Sequence, residues 1–262
     1  GITSAKQVSK VHHKAGRRPL TGAGARWHKE WVTLMREPRR LTGLLMPVLV
    51  LVFMLYSLNL DNGQGAPGFI AVPLFGTLTA LMLSLNMALP LLPSEGRGLS
   101  LLKSAPLTEG QLITGKFQFG LMMVAVLTLA ITLATAIITR TTPLQLGYSL
   151  VSVLLASAAL TWLGICLGAI SGNWTADDPN RAVGCGGMLA HYLLGMLISG
   201  LLILPATVLP LFWQQLTSSP LWLAGTLAGL MLALGLPVLA LWIITKMAIR
   251  RLANWEEVET TG

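Results

Sequence analysis

Charge is what this sequence has least of. Asp, Glu, Lys and Arg make up 11% of its 262 residues while 53% are hydrophobic, whereas a soluble domain carries roughly 25% charged side chains. That deficit excludes an ordinary soluble fold and points to an all-α integral membrane protein. Cysteine is nearly absent too. Cys166 and Cys185 both fall in apolar runs, which excludes a disulfide framework and makes them small packing residues. Histidine and the carboxylates are missing where chemistry would need them. Metal or acid/base catalysis in a bilayer requires clustered His, Asp or Glu, and the apolar runs hold one histidine, His191, with no Asp or Glu. His12, His13 and His28 sit in a basic arm with no ligand spacing. Hydrolysis and haem binding are unsupported, and His191 beside Tyr192 reads as a packing residue.

What is present is length of apolar chain. A bilayer core about 30 Å thick takes roughly 20 apolar residues per helix, and six runs qualify: 41–60, 68–92, 112–139, 144–170, 183–213 and 221–245. The fifth is too long for one straight span, and Pro205 and Pro210 predict a kink or break near its end. Ten of the 18 basic residues precede the first run. Arg97, Lys103, Lys116, Arg181, Lys246, Arg250 and Arg251 fall at the same side and only Arg140 at the other, so both termini are expected in the cytoplasm, with the inner membrane of a bacterium as the expected location. The net charge of +8 then matches anionic lipid headgroups. Nucleic acid is not an expected partner, because the basic residues hug the membrane ends without interleaved stacking aromatics.

Gly110 to Phe117, GQLITGKF, matches all but the last position of the phosphate-cradling pattern G-x-x-x-x-G-K-[ST]. Phe117 cannot supply the hydroxyl that ligates Mg²⁺, and no β-strand precedes the stretch. Thr108 and Gln111 instead have capping-box spacing. The stretch therefore opens the third span, with Lys116 as a snorkelling residue at the interface.

Outside the spans, residues 1–25 form a basic, flexible arm. Residues 26–40, RWHKEWVTLMREPRR, place Trp27, Trp31, Leu34 and Met35 on one helical stripe, which predicts an interfacial elbow helix ended by Pro38, with Arg36, Arg39 and Arg40 anchoring it to headgroups. It serves as a topology anchor or as a moving part. The six-span domain covers 41–246 and a cytoplasmic tail 247–262. Within that domain the loop 93–110 is long enough for a short helix from about Glu95 to Ser104, stopped by Pro106. Its leucines and charges suit docking of a soluble partner, or a partnerless helix lying in the interface. The second loop on this side is 171–182.

The elbow KEWVTLMREPRRL, the block EGRGLSLLKSAPLTEGQLITGKF and the loop NWTADDPNR resemble, in order and spacing, the type-2 exporter class of ABC transporter permeases. The likeness covers about residues 26–251. It implies a permease subunit without enzymatic activity, in which a pair of separate ATPase subunits holds the ATP and Mg²⁺ and this chain holds no cofactor. By position, Glu95, Arg97, Leu99, Leu102 and Lys103 would form the cytoplasmic coupling helix, and Trp174, Asp177, Asp178 and Arg181 a second contact. A single six-span unit cannot enclose a pathway, so a second six-span half is implied, as a homodimer or heterodimer. The alternative is an assembly subunit with no transport activity. Gly184, Gly186, Gly187, Gly195, Gly225, Gly229 and Gly235 let helices approach closely under either reading. Few polar groups line the spans, which favours a hydrophobic or amphipathic cargo.

Asn173-Trp174-Thr175 is a glycosylation sequon usable only on the lumenal side. With both termini in the cytoplasm, Asn173 stays unmodified in a eukaryotic host, as a glycosidase mobility shift would report; a glycan there would invert the topology.

Overall fold

The computed structural model describes residues 68–95, 108–173, 183–216 and 220–254, together with residues 31, 32, 35, 49 and 52. Five helices among them are long and apolar enough to cross a membrane. The first, α1, spans Gly68–Leu83 and runs on through a π-helical segment Ser84–Ala88, a last turn Leu89–Leu91 and a 3₁₀ turn Pro93–Glu95. Then follow α2 (Glu109–Ile138), α3 (Pro143–Ser171), α4 (Cys185–Leu216) and α5 (Pro220–Ala253). These correspond to the second to sixth expected spans. The first, 41–60, lies outside the described residues except for Leu49 and Val52, both helical and exposed.

Local sequence explains the helix ends. The expected capping box opens α2: the Gln111 amide donates to Thr108 Oγ1 at 3.3 Å and the Thr108 amide donates to Gln111 Oε1 at 3.0 Å. Such a box satisfies two amides that a helix start leaves orphaned. At the far end Arg140 adopts φ 50°, and the Arg140 and Thr141 amides donate back to Ile137 and Ala136. This is a Schellman closure with arginine in the place usually held by glycine. Pro143 then restarts the chain at the first turn of α3. Of the kink or break expected in α4, the break does not occur, since α4 stays helical across Pro205 and Pro210. A proline removes one backbone bond, but breaking a helix in hydrocarbon would orphan several more, so the helix persists.

The spans alternate in direction. Gly76 on α1 lies beside Val153 on α3 and Thr132 on α2, while further along Gly172 lies against Pro93 and Gly120 against Leu91. So α1 and α3 run together and α2 runs opposite. Ser171 meets Gly187 while Ser152 donates to the Leu202 carbonyl at 2.5 Å, which sets α4 against α3. Trp162 donates to Thr245 at 2.7 Å and Leu252 joins the cluster around Leu92 and Ala169, so α5 again runs with α3.

At the centre stands α3, which packs against all four other helices. Its sequence permits this. Gly164, Gly168 and Gly172 recur every fourth residue, one stripe of a helix face, and that stripe receives the π-helical end of α1. A methyl group on Gly168 would stand 2.1 Å from the Leu89 carbonyl oxygen, and one on Gly164 would stand 3.0 Å from Ala88 Cβ. Two backbones therefore meet with no side chain between them, the mode of association that membranes favour. Six buried hydroxyls along the helices are satisfied internally: Thr77, Thr79, Thr132, Thr135, Ser157 and Thr161 each donate to the carbonyl four residues back.

Gly168→Ala is expected to lower the thermal unfolding midpoint in detergent, because the overpacking penalty of about 1–3 kcal/mol exceeds the helix-propensity gain of about 1 kcal/mol. Gly235, with nothing near its Cβ position, tolerates alanine unchanged or with a small gain.

Candidate functional site

Two side-chain contacts tie the α1 segment to other helices at different depths. The deeper one joins Ser84, the first residue of the π-helical segment, to His191 on α4 at 3.0 Å between Oγ and Nε2. Both residues are fully buried. His191 lies six residues past the start of α4, about 9 Å along it at 1.5 Å per residue, and Leu160, Leu81 and Gly195 close the space one turn further on. The Ser84 hydroxyl also donates to the Leu81 carbonyl at 2.9 Å. Its single proton is then committed, so Ser84 Oγ accepts from Nε2–H and Nδ1 carries the bare lone pair. The opposite tautomer would leave a buried N–H donor without an acceptor, the costlier orphan. Nδ1 has no partner among the described residues.

A serine hydroxyl beside an imidazole is the first half of a nucleophile–base arrangement. The second half is missing, because Nδ1 meets no orienting carboxylate and water has no access. The pair therefore joins helices and holds a proton-accepting atom; it does not assemble acyl-transfer chemistry. Among the described residues no group of three His, Cys, Asp or Glu comes together to hold a metal ion.

The second contact lies at the end of the bundle. The 3₁₀ turn Pro93–Glu95 carries Glu95 to the second turn of α2, where its carboxylate accepts from Lys116 Nζ. The side chains are 15% and 6% exposed, so this is a largely desolvated ion pair. GQLITGKF is thus a capped helix start, and its lysine is the cation of a buried pair. That corrects the snorkelling expectation for Lys116: a carboxylate within reach makes burial favourable where an isolated ammonium would seek the interface. Phe117 packs edge-on against Trp162 with centroids 4.9 Å apart.

Of the residues expected to engage a partner, only Glu95 is described, and it turns inward to Lys116. Arg97, Leu99, Leu102, Lys103, Trp174, Asp177, Asp178 and Arg181 lie outside the described residues, as do Trp27, Arg36, Arg39 and Arg40 of the elbow. Trp31, Val32 and Met35 are helical, with Trp31 and Met35 exposed. An antiparallel bridge between Gly172 and Val183 pins the ends of the second loop.

Among the glycines expected to bring helices together, Gly187 and Gly195 do so, against Ser171 and Leu81. Gly184, Gly186, Gly229 and Gly235 face open space, because helical spacing alone does not say which face meets a neighbour. Gly225 is outside the described surroundings. The stripe that matters most, Gly164, Gly168 and Gly172, was available as a G-x-x-x-G repeat. Ser84 had no sequence signal, since nothing distinguishes it from the other hydroxyls of the spans.

Removing one partner of a buried ion pair costs about 3–5 kcal/mol, because the other charge is left behind. Lys116→Met is therefore expected to lower thermal stability more than the double change Lys116→Met with Glu95→Gln, and a double-mutant cycle in detergent checks this. Additive effects would mean that the two side chains do not interact.

No curated protein and no solved structure matches the chain. A family model described as "Membrane protein of 12 TMs" matches residues 6–248. That family is distinct from the ABC permeases and overturns the exporter resemblance. The likeness rested on short loop segments, and the most specific of them contains Glu95 and Lys116, whose pairing is explained by packing between α1 and α2. With its capped apolar helices and its match from residue 6 to residue 248, the chain belongs to this family of 12-span membrane proteins.

Proposed function

We propose that this chain is the membrane part of a transport unit and moves a hydrophobic or amphipathic substrate, its spans completed to twelve by a second six-span set. The observation that carries this reading is the uneven burial of the helices. The spanning window of α1 is 67% buried within the chain and that of α5 only 17%. Met231, Leu232, Leu236, Val238, Leu239 and Trp242 leave α5 apolar and open, the condition of a helix whose neighbours are lipid or another set of spans. The buried helices α1 and α3 bring hydroxyls into the interior and α4 adds His191, with no carboxylate beside them among the described residues, which disfavours a strongly charged solute.

On this reading the chain performs no catalysis. Energy is supplied by a separate ATP-hydrolysing subunit at the Glu95 end, where the Glu95–Lys116 pair ties the end of the α1 segment to α2 and offers a mechanical link. Lys116, Lys246, Arg250 and Arg251 share that end and Arg140 lies at the other, which favours cytoplasmic placement of the Glu95 end and of both termini in a bacterial inner membrane.

Mild-detergent extraction from the native membrane, followed by mass determination and reconstitution, tests the proposal. Twelve spans per particle, a stoichiometric subunit with a complete P-loop, and ATP-dependent movement of a fluorescent lysophospholipid are expected. A particle with no second set of spans would sink the pairing, and one without an ATPase would sink the energy source. Flux of a small inorganic ion instead of the lipid probe would sink the substrate class.

A further inference from the structure

Three side-chain atoms among the described residues are buried without a hydrogen-bond partner: Thr128 Oγ1, Ser199 Oγ and His191 Nδ1. Only the last belongs to an ionisable side chain. A buried polar atom without a partner in a native core calls for an explanation, and an ionisable side chain within a membrane span is a functional candidate by default. Here the orphan is a bare lone pair on a ring whose other nitrogen is already engaged by Ser84.

We propose that His191 Nδ1 is a proton-binding site inside the membrane core, and that proton binding there separates α4 from the π-helical segment of α1. A proton from the aqueous phase would form the Nδ1–H bond, leaving the ring cationic with two N–H donors and one acceptor, Ser84 Oγ. The second donor needs an acceptor or water, and the closed packing provides neither. The charge needs compensation too. On the elements packed against α4, the titratable or charged groups among the described residues are Glu95 after α1, Tyr148 and Cys166 on α3, and Lys246, Arg250 and Arg251 on α5, with Cys185 and Tyr192 on α4 itself. None bonds to His191. Glu95 is engaged by Lys116, Cys166 lies 3.8 Å from Thr245, and Lys246 stacks over Trp242. The cationic ring therefore favours an arrangement in which it reaches water.

The element facing it is suited to move. A π-helical turn holds one residue more than an α-helical one, so converting Ser84–Ala88 to α-helix turns the preceding chain by about 100° per residue removed. Ser84 would leave His191, and their hydrogen bond would go with it. Gly164 and Gly168 present bare backbone to this segment, so no side chain of α3 at those positions opposes the rotation.

This site stands independently of the transport reading, and its test needs no substrate. The full chain in lipid nanodiscs, ¹⁵N-labelled at histidine and carrying His12→Gln, His13→Gln and His28→Gln, leaves His191 as the only imidazole signal. At neutral pH the expected spectrum shows Nε2 protonated and Nδ1 bare. On acidification Nδ1 takes a proton, and amide protection over residues 84–88, corrected for intrinsic exchange, falls about tenfold, an ordinary size for coupling between two sites. His191→Gln abolishes that loss of protection; if it fails to fold, the spectrum of the native ring still decides. The proposal is overturned by a protonated Nδ1 at neutral pH, by a ring that stays neutral down to the pH at which the fold is lost, by protonation that leaves residues 84–88 protected, or by a pH response that survives His191→Gln.

Discussion

The contact on which the rest of the bundle depends is the meeting of two backbones at Gly168 and Leu89. A membrane span gains little from burying apolar surface against another span, since lipid is as apolar as leucine, so close van der Waals approach must supply the attraction. Gly164 and Gly168 on α3, with Gly172 just past its end, make that approach possible. Because α1 is drawn in so tightly, its neighbours α2 and α4 can also reach α3, and the central helix ends in contact with every other described span. Larger residues on this stripe would push α1 outward and separate the polar groups that it carries.

Those polar groups sit where the close approach puts them. The π-helical segment follows directly where α1 settles on the stripe, and its first residue, Ser84, is the one that meets His191. Eleven residues after Ser84, the same chain delivers Glu95 to Lys116 at the end of the bundle. Both contacts link α1 to a different helix, one to α4 and one to α2. One tightly seated helix thus carries a neutral polar contact in the interior and an ion pair at the boundary, with the apolar segment Leu89 to Pro93 between them.

The open faces complete the physical picture. Helices α1 and α3 are the more buried within the chain, whereas α2, α4 and α5 turn many of their leucines, methionines and valines outward. In water such a surface would be untenable; in a bilayer it is a lipid-facing or span-facing wall. On the proposed pairing, the second set of spans would meet that wall.

Much of this was legible before any coordinates. Charge-free runs of about 20 residues anticipated the five described spans because hydrocarbon admits little else, and the Thr108–Gln111 box anticipated the start of α2 because capping is settled within four residues of chain. The family resemblance failed, since loop segments of a few residues recur across unrelated membrane proteins. Lys116 was misjudged for a related reason: its partner stands 21 residues away, and no local rule says which carboxylate a lysine will meet. Ser84 and His191 are separated by 107 positions, and the histidine looked like packing until a hydroxyl was found against one nitrogen and nothing against the other. Residue type and local spacing decided where the chain is helical and where each helix begins. Which faces meet, and hence which buried atoms find a partner, was decided only when the glycine stripe of α3 let α1 come close, because that depends on contacts between residues far apart in the chain.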